Sequence, residues 1–347
     1  MNFASDNTAG VHPAILEALK AANVGRAPSY GADAATARLD ALFAAIFETD
    51  VTVFPVSTGT AANVLALAAM TPPWGAIYCH EESHIATDEC GAPEFYSAGA
   101  KLVGLADAGG KLRPGDLDAR LAAAGAGVQH HVQPAAVSLT QATEAGTSYA
   151  PSEIGALADI ARKHGLGLHM DGARFANALV HLGCKPADMT WRAGVDILSF
   201  GATKNGAMAA EAVVVFRKDL AASLPYRRKR GGHLFSKMRF LSAQLEAYLA
   251  KDLWLANARH ANALATRLAT GLAKVPGARI VNPVEANEVF ADLPEAAIVG
   301  LQAEGFAFHR WGSPTPTTVR LVTSFDGDAR HVDALIDGAK RFAAKAA

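Results

Sequence analysis

The chain has 347 residues, half of them hydrophobic and 19% charged, which excludes a disordered polymer and predicts two domains rather than one. Its formal net charge of -1 gives no electrostatic reason to expect nucleic acid or an anionic membrane as partner. Cys79, Cys90 and Cys184 cannot build a disulfide framework, the start MNFASDNTAG lacks the cationic head and apolar centre of a signal peptide, and no apolar run is long enough to span a bilayer, so a cytoplasmic protein is expected.

Residues 1–12 read as a polar arm. Pro13 opens a helix carrying Ile15, Leu16 and Leu19, proline being tolerated in a first helical turn. After the loop Pro28–Asp33, which contains Tyr30, a second helix carries Leu39, Leu42, Phe43, Ile46 and Phe47. Val51–Val56 reads as a strand, followed by Ser57-Thr58-Gly59-Thr60-Ala61-Ala62-Asn63 and an apolar helix from Val64 to Met70. A strand, a small-residue turn and a helix start in that order present backbone N–H groups and a positive dipole end to an anion. Short strands follow at Ala76–Cys79, Lys101–Leu105, Ala135–Leu139, Leu166–Met170, Ile197–Phe200 and Ala212–Phe216, with helical stretches between several of them, notably Pro151–Lys163. The alternation predicts a large α/β domain over residues 13–240, with a mostly parallel sheet and a ligand at the strands' carboxyl ends. From Phe235 to about Lys274 the pattern is helical, a connector into a small C-terminal α+β domain, so that residues 241–347 form the second unit. Its elements read as strand, helix, strand, strand, helix: Arg279–Val281, Ala296–Glu304, Phe306–Arg310, Val319–Thr323 and Ala329–Ala344.

Two of these strands run into charged groups. Leu166-Gly167-Leu168-His169-Met170-Asp171-Gly172-Ala173-Arg174 ends a buried strand on an acid, and Val195–Gly206 ends another on Lys204, set among small residues with glycine on both sides. An amine and a carboxylate, each at the end of its own buried strand, suggest a pyridoxal phosphate site. There the lysine forms a Schiff base and the carboxylate keeps the pyridine nitrogen protonated. Each residue alone has a plainer alternative, a solvated loop lysine or a core acid satisfied by backbone amides; the pairing speaks for the cofactor.

Gly59, Thr60 and Asn63 offer amides and a hydroxyl to a phosphate, the alternative being an ordinary helix cap by Ser57, Thr58 or Thr60. No glycine-lysine-serine/threonine tripeptide follows, which excludes a nucleoside triphosphatase loop. Arg174 and Arg320 are candidates for a fork on a substrate carboxylate, or else structural salt bridges. Arg227-Arg228-Lys229-Arg230, beside Gly231-Gly232, is a solvated face or a phosphate contact in its own subunit or a neighbour's. His80-Glu81-Glu82-Ser83-His84 matches the zinc signature H-E-x-x-H, which works only on a helix. Here it follows a strand directly and lacks a third ligand at a characteristic spacing, so no metal is expected. A ring lying over a cofactor is the better use of one of these histidines, and a zinc hydrolase is kept as the remote alternative.

His169-Met170-Asp171-Gly172-Ala173-Arg174, Ser199-Phe200-Gly201-Ala202-Thr203-Lys204-Asn205-Gly206 and the N-terminal Phe3-Ala4-Ser5-Asp6-Asn7 resemble the low-specificity L-threonine aldolases. So do Tyr30-Gly31, Thr58–Asn63 and Thr87-Asp88-Glu89-Cys90-Gly91-Ala92-Pro93-Glu94-Phe95, in order and spacing, from the first residues to about Arg320. The resemblance implies a fold type I pyridoxal phosphate enzyme, a homotetramer with sites at dimer interfaces, that cleaves β-hydroxy-α-amino acids to glycine and an aldehyde. It makes Lys204 the Schiff-base lysine, Asp171 the pyridinium partner and His84 the stacking ring and candidate base. It gives Gly59 and Thr60 to the phosphate, Lys229 to a neighbour's phosphate side, and Arg174, Arg320, Ser5 and Tyr30 to the substrate. Many members carry a histidine near the substrate hydroxyl where this chain has Glu144, and an arginine after the double glycine where it has Ser236 or Lys237. Another fold type I activity, a β-eliminase, racemase or transaminase, would share the lysine and aspartate.

Overall fold

The computed structural model describes residues 1–107 and 109–346. The larger sheet contains β1 (Thr52–Val56), β2 (Gly75–His80), β3 (Lys101–Leu105), β4 (Gln133–Thr140), β5 (Gly167–Gly172), β6 (Ile197–Gly201) and β7 (Glu211–Val215), in the order β1-β7-β6-β5-β4-β2-β3. The neighbours from β6 to β3 are parallel, while β7 runs against both β6 and β1. Pro55, which can donate no ladder hydrogen bond, sits on the edge strand β1, where the loss is tolerated.

Side chains alternate across a strand, and here both faces are covered. Ala212 and Val214 of β7 join Leu198 and Phe200 of β6 in a core on one side. Val213, Val215 and Ile197 face the helix Gly59–Met70 on the other. This is why the strands read as unbroken apolar runs.

A second sheet, β8 (Arg279–Ile280), β9 (Glu288–Asp292), β10 (His309–Arg310) and β11 (Thr318–Val322), is antiparallel with order β10-β11-β9-β8. Three features differ from the sequence expectation. The connector is two helices, Arg239–Leu249 and Leu253–Leu272, parted where Lys251 (φ 51°) and Asp252 (φ 56°) take left-handed backbone with no glycine to announce it. Strand β9 has no counterpart in the sequence pattern, because acids close both of its ends and leave only three apolar residues between. The arm is not loose: Phe3 donates to Ala307 O (2.7 Å), accepts from Val322 N (2.8 Å) and is buried in the second core. The helix Leu253–Leu272 gives Trp254 and Ala258 to the first core and Leu264, Leu268 and Leu272 to the second. At about 2 kcal/mol for each buried leucine, that shared helix ties the two cores together.

Candidate active site

Asp171 lies one residue before the end of β5, and Lys204 lies in the turn Thr203–Asn205 that follows β6. The register pairs Asp171 with Ser199 and Gly172 with Phe200, so the two strand ends run side by side. Gly201 serves that approach: a Cβ there would meet the carbonyl oxygens of Ala173 at 2.6 Å and Gly172 at 2.8 Å. A cavity of about 270 Å³ opens over the strand ends, and both Lys204 and Asp171 line it. Gly59, Thr60, Asn63, His84, Glu144 and Arg174 line it as well.

The Asp171 carboxylate is buried and held at both oxygens: Oδ1 accepts from Ala173 N (3.0 Å) and Oδ2 from Asn63 Nδ2 (2.7 Å). Asn63 Nδ2 also donates to Glu89 Oε1 (2.8 Å), and that oxygen lies 2.8 Å from His84 Nδ1. Against a carboxylate the ring nitrogen is the N–H donor, so Nε2 is the acceptor of neutral His84. The Glu89 hydrogen bond holds the His84 pKa above its ordinary value. Beneath Asp171, on the same face of β5, His169 is bonded by Ser138 Oγ (2.8 Å) and Ser199 Oγ (2.9 Å), and burial pushes its pKa down to about 4. His169 is therefore a neutral strut across β4, β5 and β6.

Thr58 caps the helix Gly59–Met70 through Ala61 N (3.1 Å), while the amides of its first residues, Gly59 and Thr60, have no intrahelical acceptor. A Cβ on Gly59 would meet no protein atom within 4 Å, so the helix start borders open space.

On the opposite wall, Glu144 Oε1 accepts the His84 backbone N–H (3.2 Å), and burial, reinforced by the Glu288 charge, pushes its carboxyl above the usual range. Arg174 forks onto Asp6, Nε to Oδ2 at 2.8 Å and Nη2 to Oδ1 at 3.0 Å, with Nη1 3.3 Å from Glu288 Oε2. Arg320 does not line the cavity; its Nε donates to Glu288 Oε1 (2.9 Å) and its guanidinium lies 5.4 Å from the Trp311 ring. Ser5 caps the short turn Asp6–Thr8 through Asn7 N, and Asn7 rather than Ser5 reaches the cavity. Tyr30 and Lys229 lie together on the surface outside it, Lys229 Nζ 4.8 Å from the Tyr30 ring. The zinc-like pentapeptide does not form one helix. His80 ends β2 with its ring 3.0 Å from Asp107 O, and His84 begins a separate turn.

Sequence reasoning missed Asp6, Glu89, Glu211 and Glu288. Glu89 lies five positions after His84, inside a block singled out for resemblance alone. Asp6 likewise lies in a block singled out for resemblance alone, its partner Arg174 being 168 positions away, while Glu211, bonded to the nearby Ala202 turn, and Glu288 are marked by no local pattern.

This is the fold type I architecture of pyridoxal phosphate enzymes, and the chain belongs to the beta-eliminating lyase family, which it matches over residues 2–296. It is 46% identical over 330 residues to the low specificity L-threonine aldolase of Pseudomonas aeruginosa, covering 95% of this chain and 94% of that one. The low specificity L-threonine aldolase of a Pseudomonas species is 45% identical over 307 residues, 88% of each chain. In three dimensions it is similar to the threonine aldolase of Leishmania major, with a TM-score of 0.92, 30% identity and 99% of each chain covered.

Proposed function

We propose that this protein is a pyridoxal-phosphate-dependent lyase that cleaves L-threonine, L-allo-threonine and related β-hydroxy-α-amino acids to glycine and an aldehyde. The observation that carries the reading is the single cavity shared by Lys204 and Asp171, with a helix start at its rim. The residues present suit the cofactor: an amine, a carboxylate aimed by two donors, exposed first-turn amides, and Asn63 Oδ1 and Glu89 Oε2 buried without partners nearby. Lys204 would hold the aldehyde carbon, Asp171 the ring nitrogen, and Gly59 and Thr60 the phosphate. When bound, pyridoxal phosphate supplies an electron-accepting ring for the pair left when a bond at the substrate Cα breaks.

This chain's own groups do the rest. Arg174, on the cavity wall, orients the substrate carboxylate, and Arg320, paired to Glu288 behind it, supports that charge cluster, which fixes the bond that breaks. His84 Nε2, directly or through a water held with Glu144, takes the β-hydroxyl proton as the Cα–Cβ bond opens and the aldehyde leaves. A proton returned to Cα completes glycine. Glu89 keeps the His84 ring in the tautomer this needs.

The division into arm, large domain and small domain belongs to the same reading, supported by two cores meeting in one helix. So does a homotetramer: Tyr30 and Lys229 sit outside their own cavity, and Phe95, Tyr226 and Trp74 are exposed apolar surface. Among the described residues no helix is long and apolar enough to cross a membrane; we place the enzyme in the cytoplasm. The test is borohydride reduction of the protein loaded with pyridoxal phosphate, peptide mapping, and an assay for acetaldehyde from L-threonine. A modified Lys204 and aldehyde release are expected; an unmodified Lys204 would end the proposal.

A further inference from the structure

Glu211 opens β7, opposite Gly201 at the end of β6 and Val56 at the end of β1. Its side chain thus stands where the lysine turn meets the strand leading to Gly59. It is buried, yet it lines the cavity. Oε2 accepts the Ala202 backbone N–H at 2.7 Å, the Thr203 hydroxyl bonds to the same carboxyl, and Thr203 Oγ1 accepts Ala210 N–H at 3.2 Å. The reaction steps above make no use of this acid, and burying an ionisable group needs a compensating reason.

We propose that Glu211 is a positioning residue for Lys204: its carboxyl pins the Ala202–Thr203 turn to β7 and places a negative countercharge beside the lysine amine, which is thereby held towards the cavity. The inference rests on Lys204 being the cofactor lysine and adds a group that controls it. Burial pushes the Glu211 carboxyl up to about 7, against the bonds from Thr203 and Ala202 and the charge of Lys204. The acid therefore changes charge near neutral pH. The titratable and charged groups that act on it are Lys204 on β6's turn and Tyr248 on the helix Arg239–Leu249.

The test compares wild type, Glu211→Gln and Glu211→Ala, all loaded with pyridoxal phosphate. Glutamine keeps an acceptor for Ala202 N–H and removes the charge; alanine removes both. Amide hydrogen exchange of residues 200–206 reads the pin, and the pH midpoint of the bound cofactor's visible absorbance reads the countercharge. Glu211→Ala should speed exchange at Ala202 about tenfold or more, whereas Glu211→Gln should stay within about twofold of wild type. Both should lower the midpoint by about one pH unit, since a nearby negative charge favours the protonated nitrogen. Wild-type exchange in the alanine variant overturns the pin, and a wild-type midpoint in the glutamine variant overturns the countercharge; the glutamine variant decides the latter even if alanine prevents folding. Borohydride labelling of wild-type Lys204 is the separate control. If it fails, the cofactor reading falls while exchange still decides the pin.

Discussion

Replacing Asp6 by asparagine tests the ion pair that the N-terminal arm delivers to the cavity wall. Asp6 takes both forks of Arg174, at 2.8 and 3.0 Å, and a third bond from Asn287 Nδ2 at 3.0 Å. The two side chains are almost closed to solvent, 5% exposed for Arg174 and 1% for Asp6. Removing one partner of such a buried pair costs about 3–5 kcal/mol, because the other charge is stranded. The substituted amide would keep one acceptor and Glu288 stays 3.3 Å from Nη1, so the lower end, about 3 kcal/mol, applies. With an unfolding entropy of about 2.1 cal/mol/K per residue over 347 residues, that lowers Tm by about 4 °C. The acid dependence has a definite sign. Burial raises the Asp6 carboxyl, but the charges of Arg174 and Lys204 outweigh it and leave the group below 3.8. A depressed carboxyl contributes stability that is complete above the unfolded value and disappears as pH falls through the folded one. Thermal melts by circular dichroism should therefore show the full gap between wild type and Asp6→Asn at about pH 6, closing below about pH 4. Melting temperatures within about 1 °C of each other at the higher pH, or a gap that persists in acid, would refute the reasoning.

Glu89→Gln removes the main support of His84 basicity, so the acid limb of kcat/KM should move to lower pH, and an unmoved limb would show that another group is the base. Arg320→Lys replaces a planar fork by a point charge; KM for L-threonine should rise about tenfold with kcat less affected, as steady-state kinetics will show, and an unchanged KM would remove Arg320 from substrate binding. Glu144 has its carboxyl raised by burial, so the folded chain holds that proton more tightly than the unfolded one and wild-type stability falls as pH climbs above 4.5. Glu144→Gln lacks that loss. The Tm of Glu144→Gln relative to wild type should therefore rise as pH climbs above 4.5, and a constant difference would contradict the assignment.

The larger sheet is legible in the sequence because strands covered on both faces must be apolar at successive positions, and charge can enter only where they end. Lys204 and Asp171 are such ends, which is why two single residues point to one cavity. The glycines beside the lysine read as room for a cofactor, but Gly201 is needed first for the contact between two strand ends. The helix break at Lys251 and Asp252 is hard to see in the sequence, since no glycine marks the left-handed backbone, Lys251 does not favour it, and a lone aspartate such as Asp252 tolerates it without announcing it.

Arg174 shows where local reading stops. Its type and position after β5 are plain, and both a substrate fork and a structural pair are open to it. Which carboxylate it faces depends on residue 6, 168 positions away, and on residue 288, in a strand the pattern does not reveal. An arginine already forked to Asp6 meets a substrate carboxylate with Nη1 and the net field of the cluster, not with an unpaired fork. The cluster Asp6–Arg174–Glu288–Arg320 holds two acids and two bases, so a carboxylate that enters must weaken an existing pair. Glu288 Oε1 accepts from both Nε and Nη2 of Arg320, whereas its Oε2 has no hydrogen bond and only the 3.3 Å approach of Arg174 Nη1. That approach of Arg174 Nη1 is therefore the contact a bound carboxylate should loosen first, and Arg320, paired to Glu288 behind the cavity wall, will be felt in KM through the hold it keeps on Glu288.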